Sequence, residues 1–170
     1  MDELTDGHVT LRPWKPWDAA WYVTQALDPD IQAQTTERPD LTVDEVRAAI
    51  ERLHLRDDAV GYAICEAWTG ALLGNLAFGL SEDHSRGAVS YWIARSARGL
   101  GYATAAVKLI SEWAFNTYAI DEVQLWVRAG NKASARVAEK AGFRRAPDRD
   151  SPREVRGETW QTEYWVRPRF

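Results

Sequence analysis

Hydrophobic residues along the chain switch between the period of a strand and the period of a helix. Val9 and Leu11 alternate with polar neighbours over residues 8–13, as in a half-buried strand that Pro13 ends. Residues 17–27 read as a helix stopped by Asp28-Pro29, with Trp17 and Trp21 spaced onto one buried face. A polar loop then runs to Leu41. Thr42 and Glu45 form a capping box, Leu41 and Val46 a hydrophobic staple, and Val43, Val46, Ile50 and Leu53 the apolar face of the next helix.

Residues 61–68 and 72–80 are rich in strand formers and meet at Thr69-Gly70, which predicts a hairpin. After a polar connection, residues 88–94 form another strand. From Ala103, the positions Ala106, Val107, Ile110, Trp113 and Ala114 keep helical spacing. Val123, Leu125 and Val127 then alternate with Gln124, Trp126 and Arg128 as a strand should. Residues 132–141 make a short helix ended by Gly142, residues 146–158 a long polar loop, and residues 160–166 a closing strand. The order β-α-α-β-β-β-α-β-α-β predicts a mixed sheet in an α/β or α+β fold, and no repeat or linker divides residues 1–170 into more than a single domain.

Composition narrows the picture modestly. An apolar share of 45% with 27% charged residues suits one soluble domain with a real core. The net charge of −4 argues against nucleic acid as partner and suits a cationic amine, although such a charge is mainly a statement about solubility. Cys65 is the only cysteine, which excludes an intrachain disulfide and a thiolate metal cluster; in its apolar run it reads as a core residue. Without a signal-like start or a long apolar span, the expected location is cytoplasmic, with no membrane partner. The tryptophans spread from Trp14 to Trp165 read as core or groove walls, a few of them as a substrate wall.

The chemistry concentrates in Arg98-Gly99-Leu100-Gly101-Tyr102-Ala103-Thr104, between a strand and a helix. Glycines and an alanine let a ligand approach the backbone, and the first helical turn offers unpaired N–H groups at the positive end of its dipole. That combination can hold a pyrophosphate. A glycine turn before a helix is also an ordinary connection. No Lys-Ser/Thr pair follows the glycines, and the three-glycine dinucleotide spacing is absent.

Arg98-x-x-Gly101-x-Ala103 resembles the acyl-CoA pyrophosphate signature of the GNAT acetyltransferases. Tyr91-Trp92-Ile93 before it, Asn131-x-x-Ser134 after it and Glu139-Lys140-Ala141-Gly142-Phe143 resemble the branch that includes ribosomal-protein N-acetyltransferases, as do Leu11-Arg12-Pro13 and Asp18. The resemblance covers nearly the whole chain. It implies a mostly antiparallel twisted sheet with a central splayed strand pair and flanking helices, acetyl-CoA as co-substrate and no metal. The implied reaction is direct acetyl transfer to a primary amine, either a protein amino terminus or a small molecule. A CoA-binding module with little catalysis is the alternative, and a homodimer is common among such proteins.

By the same resemblance, the strand before the turn carries a bulge and leaves room for the pantetheine arm. Tyr91, Trp92, Ile93 and Ala94 would meet acetyl and pantetheine through their backbone, with the Ile93 N–H polarising the thioester carbonyl. Arg98, Gly99, Gly101, Tyr102, Ala103 and Thr104 would surround the pyrophosphate, the Arg98 side chain either pairing with phosphate or simply solvated. Asn131 reads as an N-cap and by the resemblance could also reach the cofactor, and Ser134 would protonate the leaving thiolate, since Ala138 stands where many relatives have a tyrosine. Ala88 replaces an acidic residue often found there and Ser90 a common glycine, so the general base is open among Glu37, Glu82, Asp83, His84, Glu163 and water. Glu37 and Glu163 are the candidate substrate contacts, with residues 146–158 as a second specificity loop.

Overall fold

The computed structural model describes residues 2–170. Its elements are β1 (Leu4–Thr5), β2 (Val9–Pro13), α1 (Ala19–Ala26), α2 (Pro29–Gln34), α3 (Val43–Leu53), β3 (Ala59–Glu66), β4 (Leu72–Leu80) and β5 (Arg86–Ile93), followed by α4 (Tyr102–Thr117), β6 (Glu122–Arg128), α5 (Lys132–Lys140), β7 (Arg144–Arg145), β8 (Pro152–Val155) and β9 (Glu158–Pro168). The strands lie in the order β1-β2-β3-β4-β5-β6-β9-β7, with β8 paired to β9. Every pairing is antiparallel except β5 with β6.

Two hydrophobic clusters fix the layers. Val9, Tyr62, Leu76, Phe78, Val89, Val123 and Leu125 face α4 through Ala106, Val107, Ile110 and Ala114. On the other face Trp14, Ala63 and Cys65 meet Val46 and Ile50 of α3 and Ala19 of α1. Cys65 is the core residue expected, and burial pushes its thiol up from the ordinary value. Arg12 and the buried Asp18 join in a paired ion contact at 2.7 and 3.1 Å, tying β2 to the start of α1. The Thr42–Glu45 capping box opens α3, and Leu41 packs beside Val43 and Val46.

Four local expectations change. Asp28-Pro29 not only ends α1 but begins α2: the Asp28 carboxylate accepts from the Asp30 N–H, and Pro29 occupies the first helical turn, where its missing donor is harmless. The polar stretch 146–158 is not a bare loop, since β8 turns back onto β9 in a hairpin. Trp17 sits in a 3-10 turn and is 74% exposed, so it shares no buried face with Trp21. The expected bulge in β5 is absent: its register with β4 runs unbroken from Gly74–Ile93 to Leu80–Gly87, and the shift nearby lies between β3 and β4, where Ile64 pairs with Gly74 but Cys65 with Leu72, leaving Leu73 of β4 as the extra residue.

Candidate active site

The parallel pair β5–β6 holds together over a short stretch, from Arg86–Glu122 to Ala88–Gln124, and then diverges. Hydrogen-bond alternation shows what faces the gap. Ala94 donates its N–H to the Leu73 carbonyl at 2.8 Å, so the backbone groups of Tyr91 and Ile93 point away from β4. Ala129 likewise donates to Gln161 at 2.8 Å, which turns the backbone of Trp126 and Arg128 from β9 toward the same gap. The result is a cleft of about 700 Å³ passing through the sheet. Alternating side chains give it two ends: Tyr91 lies with the α4 cluster, whereas Ser90 and Trp92 look toward α2.

At the α4 end, the turn is built for exposed backbone. Gly99 and Gly101 have φ of 77° and 84°, and Gly101 is the left-handed N-cap of α4. The first helical bond is Ala105 N–H to Gly101, leaving the N–H groups of Tyr102, Ala103 and Thr104 without helical acceptors at the lip of the cleft. The Arg98 side chain does something other than wait for phosphate. Its Nε donates to the Ile93 carbonyl at 3.1 Å, and its Nη atoms pair with Asp28 and Asp30 at 3.1 and 2.9 Å. Arg95 joins the same carboxylates, and together they hold Asp28 below the usual carboxylate range.

Asn131 caps α5 by accepting from the Ser134 N–H at 3.1 Å. The Ser134 hydroxyl is 2.9 Å from the Tyr91 hydroxyl. Ala138 is fully buried, so a tyrosine hydroxyl reaches this region from β5 rather than from α5. Burial pushes the Tyr91 hydroxyl up to about 12, and it stays protonated at any ordinary pH.

At the α2 end, Glu37 and Asp30 are the carboxylates lining the cleft, and Asp30 is paired to Arg95 and Arg98. Glu37 Oε1 accepts from Trp92 Nε1 at 2.8 Å and from the Tyr22 hydroxyl. These are neutral donors, so the carboxylate has no ion-pair partner among the described residues; burial and its negative neighbour push the Tyr22 hydroxyl up. Behind them Trp14, Trp21, Tyr22 and Trp92 form one aromatic cluster, of which Trp92 lines the cleft while Trp21 packs against the second core cluster. Asn75, Ser90 and Trp126 complete this end.

The other carboxylates singled out from sequence lie elsewhere. Glu163 faces Arg145 at 3.8 Å on β9 and does not line the cleft. Asp83 is bound to Ser81 and Ser85 in the β4–β5 turn, with Glu82 and His84 exposed beside it.

Residues 8–144 match the sequence model of the acetyltransferase (GNAT) domain. The chain belongs to the GNAT acetyltransferase family. Similarity extends to a putative ribosomal N-acetyltransferase, YdaF, of Bacillus subtilis, 30% identical over 77 residues, a match spanning 45% of this chain and 42% of that protein. An acetyltransferase from Salmonella typhimurium that modifies the N-terminal serine of ribosomal protein L7/L12 superposes with a TM-score of 0.82 at 17% identity, covering 98% of this chain and 99% of its own. Spermidine N-acetyltransferase from Vibrio cholerae, solved with CoA and spermine, gives 0.83 at 16% identity, covering 96% and 97%.

GNAT acetyltransferases use acetyl-CoA, and this cleft fits that co-substrate on its own geometry. The β5 edge offers alternating N–H and C=O groups to an extended amide-bearing arm, as an added strand would need. The unpaired N–H groups of α4 suit phosphate oxygens at the arm's far end.

Proposed function

We propose that the cleft transfers acetyl from acetyl-CoA to a primary amine that enters from the α2 end. The observation that supports this most is the divergence of β5 from β6, which frees the backbone of Tyr91 and the N–H of Ile93 beside the α4 turn. In this reading Tyr91 and Ile93 bind the pantetheine arm by backbone pairing, with Trp92 and Ala94 flanking it. Gly99, Gly101, Tyr102, Ala103 and Thr104 hold the pyrophosphate. Arg98 positions rather than binds, because it is already tied to Asp28, Asp30 and Ile93.

The Ile93 N–H stabilises the negative charge that develops on the thioester oxygen. As the amine nitrogen bonds to the carbonyl carbon and the C–S bond breaks, Ser134 delivers a proton toward sulfur and takes one from the Tyr91 hydroxyl, which solvent entering the cleft reprotonates to complete the turnover. Asn131 keeps Ser134 in place as the cap of α5. Glu37 attracts the ammonium and accepts the proton it sheds before attack, the part left vacant by Ala88, and the second proton leaves to solvent as the amide forms. Family membership makes transfer, not binding alone, the function to test.

Spermidine and a seryl-initiated peptide are the acceptors to test, each followed by thiol release from acetyl-CoA. Turnover of either supports the reading, and Glu37→Gln should then lower kcat and raise the acceptor KM by about tenfold while leaving the KM of acetyl-CoA unchanged. Tight CoA binding with no release by any primary amine would sink it.

A further inference from the structure

Arg156 occupies a backbone conformation that arginine disfavours. With Gly157 it forms the two-residue turn between β8 and β9, at φ of 50° and 79°. Such a primed turn needs positive φ at both positions and prefers Asn-Gly. An outlier of this kind calls for a compensating contact, and the side chain supplies one. Arg156 Nη1 donates to the carbonyls of Thr35 and Glu37 at 3.0 and 2.7 Å, and Nη2 to that of Gln32 at 2.5 Å.

Those carbonyls belong to the wall that carries Glu37. Gln32 is in the last turn of α2, where carbonyls run out of helical donors. The same turn receives Arg128, which donates to the Ala33 carbonyl. Both guanidinium groups lie against the Trp160 ring, at 4.1 Å for Arg128 and 5.5 Å for Arg156. Ile31 is the one buried residue of the helix, and its other ties, from Arg95 and Arg98 to Asp28 and Asp30, lie at its start rather than its end. Segment 32–37 is therefore held at the Glu37 carboxylate by Trp92 and Tyr22, and along its backbone by a β6 side chain and by the tip of a hairpin more than a hundred positions further along the chain.

We propose that Arg156 is a positioning residue for the acceptor: it anchors segment 32–37 so that the Glu37 side chain faces the cleft, with the β8–β9 hairpin as a strap across the acceptor end. This rests on the assignment of Glu37 to the acceptor. The arginine is kept at a strained position because its reach, not its turn preference, is what the site uses.

Arg156→Asn separates the two demands, since asparagine suits the turn but cannot reach the carbonyls. The melting temperature should stay close to the parent's. Amide hydrogen exchange over residues 32–37 should accelerate by about tenfold, and the KM for the accepted amine should rise by about tenfold at unchanged acetyl-CoA KM. Arg156→Lys, a single point donor, should recover part of the loss. Unchanged exchange in Arg156→Asn would overturn the proposal. An acceptor KM raised by Glu37→Gln but not by Arg156→Asn would overturn it while leaving the Glu37 assignment standing; a KM raised by neither would overturn both.

Discussion

Two hydroxyl groups on different elements, Tyr91 of β5 and Ser134 of α5, meet at 2.9 Å beside the gap in the sheet. Acting as one relay, they should not contribute independently. Ser134→Ala and Tyr91→Phe are each expected to lower kcat by about a hundredfold with little change in the KM of acetyl-CoA. The double variant should be little worse than either, as for groups that work as a unit. Multiplying effects would show separate roles. Because burial pushes Tyr91 up to about 12, the folded and unfolded chains both keep its proton below about pH 10. Above that the unfolded chain releases it first, so this group's contribution to stability is lost as pH rises between about 10 and 12. The kcat profile should accordingly rise as the acceptor amine deprotonates, without a falling limb from Tyr91 below about pH 10. The Asn131 cap on Ser134 was legible because Asn131-x-x-Ser134 is a local pattern. The Tyr91 hydroxyl was not, since its partner is 43 positions away. Arg98 was legible as part of a signature, but its carboxylate partners lie in an element the polar pattern hid.

Short elements with few buried residues explain the rest of what the hydrophobic pattern missed. α2 buries Ile31 alone, so it carries no periodicity, and its only signal is an Asp N-cap followed by Pro in the first turn. β8 lies at an edge and buries Val155 alone, so it too reads as polar loop. The longer elements were legible because each has a face pressed on a core: α3 by Val46 and Ile50, α4 by Ala106, Val107, Ile110 and Ala114. The turn before α4 gives an element-scale test. A β-carbon at Gly101 would meet no atom within 4 Å, so crowding by the protein is not what demands glycine; φ of 84° is. Gly101→Val should cost about 1–2 kcal/mol in stability and weaken acetyl-CoA binding through the altered N–H geometry. Gly101→Ala should show most of the same loss, read from melting temperature and KM. A normal alanine variant would return the explanation to crowding.

Over the whole molecule, acetyl-CoA would bridge β5, the α4 turn and the α5 cap, surfaces that exist together only in the folded chain. At a concentration a hundredfold above its Kd it should stabilise folding by about 2.7 kcal/mol, measured as a raised melting temperature. Gly101→Val should reduce that shift, and Arg156→Asn should retain it, because its strap lies on the acceptor side. No helix among the described residues is long and apolar enough to cross a membrane. The sequence alone determined the element periods, the capping box of α3, the glycine turn and the Asn131 cap, and with them the α4 end of the cleft. Those features depend on residues within a few positions of one another, whose preferences act before any packing. Tertiary structure alone decided where β5 leaves β6, that Tyr91 would meet Ser134, that Arg98 would bind Asp28 and Asp30, and that Arg156 would hold the segment carrying Glu37. Each joins elements far apart in the chain, and their meeting depends on strand order and on which face each side chain takes, which no local pattern encodes.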